Sequence, residues 1–224
     1  MASKESTLIV CEGASDKAFI DELIDNRDLS SAAVRWPGDR VDEDKWRKLG
    51  SGKDAIPRFI NALSTERGFG DYGNLVIVVD NDDNPDKTYA SLFKKLTRDD
   101  SRRFDPPEQP WMTNRSRSLP CSVITLPGKD QPGALESLLL RSIDISKVGR
   151  KRINCWEKYI ECWAIENVNL MHTDKMKLAS LTSMTCEKNP NVPLRWIYDM
   201  QENPINLSHS CFNDVAQFFQ DLLS

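Results

Sequence analysis

Long apolar runs, histidine and surplus positive charge are all scarce in this chain. No stretch approaches the roughly 20 apolar residues of a membrane span, so no membrane-spanning role is expected. Met1–Thr7 is polar, and the apolar run behind it, Leu8–Cys11, is too short for a secretory signal; a cytoplasmic protein is expected. The two histidines stand at no zinc spacing from the six scattered cysteines, which form no Cys-x-x-Cys pair, so reduced thiols are expected rather than a zinc site. A net charge of −4 argues against a protein that coats nucleic acid by bulk electrostatics. It leaves room for an enzyme that reaches phosphate through bound metal and a local basic patch. What is present, 39% hydrophobic residues over a length of 224, is enough for one sizeable core.

The pattern along the chain alternates between strand and helix. Leu8-Ile9-Val10-Cys11 reads as a buried strand that stops at Glu12-Gly13. A helix then opens at Ser15-Asp16, with Phe19, Ile20, Leu23 and Ile24 on one face. Ala32–Trp36 can form a short strand, and Pro37–Lys53 is polar and Gly-containing, hence loop. Ala55–Thr65 follows as a helix that tolerates Pro57 in its first turn. Asn74–Val79 is continuously apolar, as a central parallel strand covered on both faces should be, and ends in Asp80-Asn81-Asp82-Asp83-Asn84. Pro85 suits a first helical position, ahead of Tyr89, Leu92, Phe93 and Leu96.

Thr97–Pro120 has no apolar period and four prolines; it reads as a long loop or insertion. Cys121–Leu126 is a strand and Gly133–Arg141 a helix. Beyond about Lys151 every period is helical: Ile153, Trp156, Tyr159, Ile160 and Trp163 share a face, and further helices are expected around Leu178–Met184, Leu194–Met200 and Phe212–Leu223. The expectation is an α/β fold, a mostly parallel central sheet flanked by helices with a helical C-terminal layer. Residues 1–145 would form the α/β core, with 97–120 as insertion, and 146–224 the helical part packed on it.

Three acidic features fall just beyond predicted strands, the rim where open α/β sheets bind ligands. Glu12 is tethered at a glycine turn. Asp80, Asp82, Asp83 and Asp86 crowd four carboxylates into seven residues, which repel unless a cation or water intervenes. In an extended segment the i, i+2 spacing turns Asp80 and Asp82 to one side, and hard oxygen ligands of this kind suit Mg²⁺ or Mn²⁺. Glu136 sits in a first helical turn. Each feature alone has a plainer reading: a solvated turn, a helix cap, an acid favoured by the helix dipole.

Taken jointly, Leu8–Asp16 and Val76–Asp82 resemble the two signature motifs of the Toprim superfamily, an apolar strand ending in Glu-Gly and a later strand ending in Asp-x-Asp. Topoisomerases, primases and OLD-type nucleases share that domain. The resemblance is greatest to small stand-alone Toprim-like prokaryotic proteins of unknown function. There it extends to Pro132–Leu140, to His172–Ala179 and to the aromatic helix around Phe212 and Phe218-Phe219. It implies Glu12 as acid or base, Asp80 and Asp82 as Mg²⁺ ligands, and Lys175 facing the metal to neutralise charge developing on a phosphate, with Lys177 as the fallback. Glu136 and Asp83 would complete a second metal. Topoisomerase action needs a nucleophilic Tyr on a further domain, for which this length leaves no place.

Lys147, Arg150, Lys151 and Arg152 form a basic stretch that could steer a polyanion, although such runs are usually solvated faces; the same holds for Arg98, Arg102, Arg103, Arg115 and Arg117 among Asp99, Asp100 and Asp105. The expected activity is Mg²⁺-dependent nuclease-like hydrolysis of nucleic acid. The alternative is a non-catalytic module of the same fold that binds metal and either nucleic acid or protein. A homo-oligomer or protein partner is compatible with both. A phosphoacceptor receiver domain fits less well, because it expects paired acids after the first strand and a single Asp at the third.

Overall fold

In the computed structural model, residues 6–29, 32–39, 52–98, 103–163, 170–186, 191–201 and 203–223 are described. Most of the Pro37–Lys53 loop, Asp99, Asp100 and Arg102, and the side chains of Trp163 and His172 lie outside them.

Strand β1 (Ser6–Cys11) leads through helix α1 (Ala14–Asn26) to β2 (Ala32–Arg35). Helix α2 (Ile56–Leu63) precedes β3 (Tyr72–Asp80), which feeds α3 (Pro85–Leu96). Then come β4 (Met112–Asn114), β5 (Cys121–Leu126) and α4 (Leu135–Arg141). The chain continues through α5 (Ile145–Val148), α6 (Arg150–Trp163), α7 (Leu170–Thr185) and α8 (Asn213–Leu223), with a 3-10 turn at Leu194–Asp199.

The described strands make one five-stranded sheet in the order β2-β1-β3-β5-β4. All neighbours are parallel except β4, which runs antiparallel to β5 at the edge. This is the mixed α/β architecture with a mostly parallel central sheet. Strand residues alternate between two cores. On one face Ile9, Cys11, Val76, Val78, Ile124 and Leu126 meet α1 and α4. On the other Leu8, Val10, Leu75, Ile77, Val79 and Val123 meet α2 and α3. Covering on both faces explains why β3 and β5 lack a polar alternation.

The C-terminal part lies on the α1 face. Leu178 of α7, Ile197 of the 3-10 turn, and Phe212, Val215 and Phe219 at the end of the chain share one buried cluster with β1 and α1. Phe19 of α1 stacks on Phe212 at a ring distance of 5.4 Å.

Two expectations need correction. The 97–120 segment is not featureless: it carries the edge strand β4, and its Phe104 and Leu119 are buried on the α2 and α3 face. The apolar residues in Leu194–Met200 form a 3-10 turn rather than an α-helix, entered from Pro193. On α6, Ile153 is buried and Trp156 donates its indole N–H to Ser180 Oγ at 2.8 Å, but Tyr159 stays half exposed. All six thiols are free. Among the described residues no helix is long and apolar enough to cross a membrane.

Candidate functional site

Strand β1 continues through α1 to β2 on one side of it, while β3 pairs on its other side. Helices α1 and α2 cover opposite faces of the sheet. The winding therefore reverses between β1 and β3, and a crevice at such a switch point opens beyond the C-terminal strand ends. Glu12 is the first residue past β1, and Asp80 is the last of β3.

The two strand ends are tied together directly. Glu12 Oε1 accepts the main-chain N–H of Asp80 at 2.8 Å. The Lys53 main-chain N–H also donates to the Glu12 carboxylate. Asp80 Oδ1 in turn accepts the main-chain N–H of Leu135, at 2.9 Å, from the start of α4. That bond sets Glu136, the next residue, beside the same rim. Gly133 makes the approach possible. Its φ is +127°, and a Cβ there would stand 2.5 Å from Ser137 Oγ. Its N–H bonds the carbonyl of Asp82 at 2.7 Å.

A fourth acid joins from α1. Asp16 occupies the third helical position, accepts the N–H of Gly13 at the cap, and feels the charges of Glu12 and Glu136. Burial and these neighbours push its carboxyl up to about 7. Asp80 is raised well above the ordinary carboxylate range, by burial first and then by Asp16, Glu12 and Glu136. Glu12 is raised by burial and held down in part by the Asp80 N–H, Lys53 and Lys175. Glu136 is raised by burial and held down chiefly by Lys175. Glu12, Asp16, Asp80 and Glu136 thus form one interacting set, with Lys53 and Lys175 as its cations. Lys175 itself projects as an exposed side chain of α7.

Asp82 does not continue the extended segment that the i, i+2 spacing assumed. Its φ of +51° takes the chain out of the extended conformation. Its carboxylate pairs with the Lys53 ammonium and receives the Thr88 hydroxyl at 3.4 Å. Asp83 is exposed at the turn, and Asn84 rather than Asp83 caps α3, accepting Lys87 N–H at 3.0 Å. Lys177 stands 3.9 Å from Asp174, whose carboxylate accepts Ser137 Oγ at 2.5 Å. Lys147, Arg150, Lys151 and Arg152 are exposed around α5 and the start of α6, where Lys147 bonds the carbonyl of Asn203 at 3.3 Å.

Asp16 and Lys53 were not singled out from sequence. Asp16 reads as a helix-opening residue, and only its spacing of four from Glu12 signals that a turn of helix could bring the two together. Lys53 closes a polar loop and carries no signal of its own.

The donors suit a hard divalent cation in kind: partly buried carboxylates that raise one another's proton affinity gain from a positive charge among them. Among the described residues, however, no three acidic, histidine or cysteine side chains stand at metal-ligating spacing. Glu12 accepts two main-chain N–H groups, those of Asp80 and Lys53, and Asp80 accepts one, that of Leu135, so ligation would fall first to Asp80, Asp16 and Glu136. Beside the set, a cavity of about 380 Å³ opens between α7 and the 191–194 segment, with Glu136 and Lys175 at its polar end and Leu178, Val192 and Leu194 along its wall.

Compared with known proteins, residues 6–224 match the model of a family described as protein of unknown function (DUF3226). No curated protein and no solved structure matches.

Proposed function

The chain belongs to the DUF3226 family, and we propose that its acidic crevice carries out Toprim-like, Mg²⁺-dependent phosphodiester hydrolysis on nucleic acid. The observation that supports this reading is the meeting of Glu12, Asp16, Asp80 and Glu136 at the switch point between β1 and β3. Perturbed carboxylates concentrated in a crevice are a mark of functional sites, because their mutual repulsion weakens the fold.

Asp80, Asp16 and Glu136 would hold the cation, Mg²⁺ or Mn²⁺. When bound, it polarises a phosphate and makes water a better nucleophile. Glu12, held rigidly by the Asp80 N–H, is placed to take a proton from the attacking water. Lys175 reaches the rim from α7 and would neutralise charge developing on the phosphate. The cavity between Lys175 and Leu194 gives the nucleotide beside that phosphate an apolar wall. The basic residues Lys147, Arg150, Lys151 and Arg152 would attract the polyanion from outside the site, and Asp82 and Asp83 would act at the rim rather than as first ligands.

A second reading is a non-catalytic module that binds metal and nucleic acid or protein. It is favoured by Lys53, whose ammonium already serves as counter-ion to Asp82 and acts on Glu12. The test incubates the protein with linear, supercoiled and single-stranded substrates in Mg²⁺ or Mn²⁺, beside Glu12→Gln. Cleavage that the variant loses supports hydrolysis. Binding without turnover supports the module. Neither binding nor turnover by the unaltered protein ends both readings.

A further inference from the structure

Neighbouring residues on α4 and α7 serve different cavities. Glu136 and Lys175 stand at the cavity beside the acidic set, whereas the adjacent Ser137 and Asp174 line a second one of about 490 Å³, bounded on its other side by α6. Leu140, Ile143, Ile153 and Leu181 form its apolar wall together with Trp156. The Trp156 indole N–H is engaged by Ser180 Oγ at 2.8 Å and by the Lys177 carbonyl at 3.2 Å, so the ring offers the cavity carbon rather than a donor. Ile145, 42% exposed, stands at the mouth.

The polar end of this cavity is held in place but incompletely matched. Ser137 Oγ donates to Asp174 Oδ2 at 2.5 Å and accepts the Ala134 N–H at 3.2 Å. Asp174 Oδ1 accepts no hydrogen bond among the described residues, and Lys177 Nζ, 3.9 Å away, is beyond hydrogen-bond reach of it. An acceptor and a donor are thus left side by side. The charges on the lining balance, Arg141 and Lys177 against Glu157 and Asp174. A charged body gains little there, whereas a neutral one with a donor and an acceptor on one edge fits. A nucleobase is such a body, flat and apolar on its faces. The volume lies within the range of small-ligand sites, about 300–1,000 Å³. Between two of the lining residues, Ile145 and Ile153, the chain carries Lys147, Arg150, Lys151 and Arg152, all exposed, where phosphates flanking that base would meet cations outside the cavity.

We propose that the cavity between α4, α6 and α7 is a pocket for one unpaired nucleobase of a single-stranded nucleic acid, packed against Trp156 and met at its edge by Asp174 and Lys177, with the flanking phosphates on the basic residues of α5 and α6. This rests on the nucleic-acid part of the reading given above and does not involve the cation.

The test measures binding, in EDTA, of a short fluorescent single-stranded oligonucleotide and of a strand of the same length whose sugars carry no bases. The expected result is a preference of roughly tenfold for the strand with bases, removed by Trp156→Leu and by Ile145→Trp, which narrows the mouth at an exposed position. Thermal unfolding checks that each variant folds; if Trp156→Leu does not, Ile145→Trp decides. Equal affinity of the parent chain for the two strands, or a preference that the folded variants keep, puts the nucleic acid on the basic residues alone and overturns the pocket while the nucleic-acid reading stands. A parent chain that binds neither strand, in EDTA or in Mn²⁺, ends the nucleic-acid reading and this proposal with it.

Discussion

Asp16 offers the sharpest test of the acidic set, because its proton is predicted to trade directly against stability. In an unfolded chain its carboxyl ionises near the ordinary value of 3.8, whereas burial, Glu12 and Glu136 raise it to about 7 in the fold. The folded state therefore holds a proton that the unfolded state has released, and the contribution to stability, complete below pH 4, is lost as pH rises toward 7. About three units at 1.36 kcal/mol each set a ceiling of about 4 kcal/mol. Burial is the leading cause, and the amide of an Asn at this position keeps part of that desolvation cost, so the substitution recovers roughly half of that ceiling. Asp16→Asn keeps an oxygen to accept the Gly13 N–H while deleting the charge. In urea unfolding with EDTA, the variant should exceed the parent by about 2 kcal/mol at pH 8, and the gap should close by pH 4. With Mn²⁺ the order should invert, because the cation rewards the charge. A variant that is less stable at pH 8 without metal, or a gap independent of pH, would refute the electrostatic argument.

Other predictions concern the frame that holds the set. Phe212→Ala removes a fully buried ring stacked on Phe19 and should cost about 3–5 kcal/mol; near- and far-ultraviolet dichroism should still lose signal together, since sheet and C-terminal helices share one core. Asn84→Ala deletes the side-chain cap of α3 and should cost about 1 kcal/mol in urea unfolding, with no effect on Mn²⁺ titration. Gly133→Ala forces a Cβ against Ser137 in a left-handed backbone. A loss of about 1–3 kcal/mol is expected, together with weaker Mn²⁺ binding as the Leu135 N–H leaves Asp80; unchanged stability would contradict the geometry.

Much of this arrangement was legible before the structure, for definite reasons. Asn74–Val79 could only be a strand covered on both faces, because six apolar or neutral residues ran without a polar alternation and ended in acids. The helix beyond Glu12 declared its buried face through Phe19, Ile20, Leu23 and Ile24, and all four are buried. The 97–120 segment was opaque because β4 is three residues long with Met112 pointing outward, 53% exposed; a strand that short shows no period. The conformation at Asp82 was not legible because spacing arguments assume an extended chain, and Asp82 itself is left-handed. Lys53 was invisible because its role comes from a main-chain N–H and an ammonium serving two different acids, Glu12 and Asp82. No side-chain pattern encodes that.

The distribution of charge at the crevice bears on whether the acids serve the fold. A structural acid is ordinarily placed where a partner lowers its proton affinity, as Lys95 does for Asp54 on the surface. Asp16, Asp80 and Glu136 are placed the other way, each raised by burial, and two of them further by the other acids. Amide replacements would relieve that strain while keeping an oxygen to accept the main-chain N–H groups of Asp80, Leu135 and Gly13 that tie the strand ends and the cap of α1. Lys53 and Lys175 offset part of the repulsion but stand toward Glu12, Asp82 and Glu136, leaving Asp80 and Asp16 with burial and like charge as their leading influences. In the proposed cation-binding reading, Asp80 and Asp16, at the reversal of the sheet, are therefore the acids with most to gain from a positive charge.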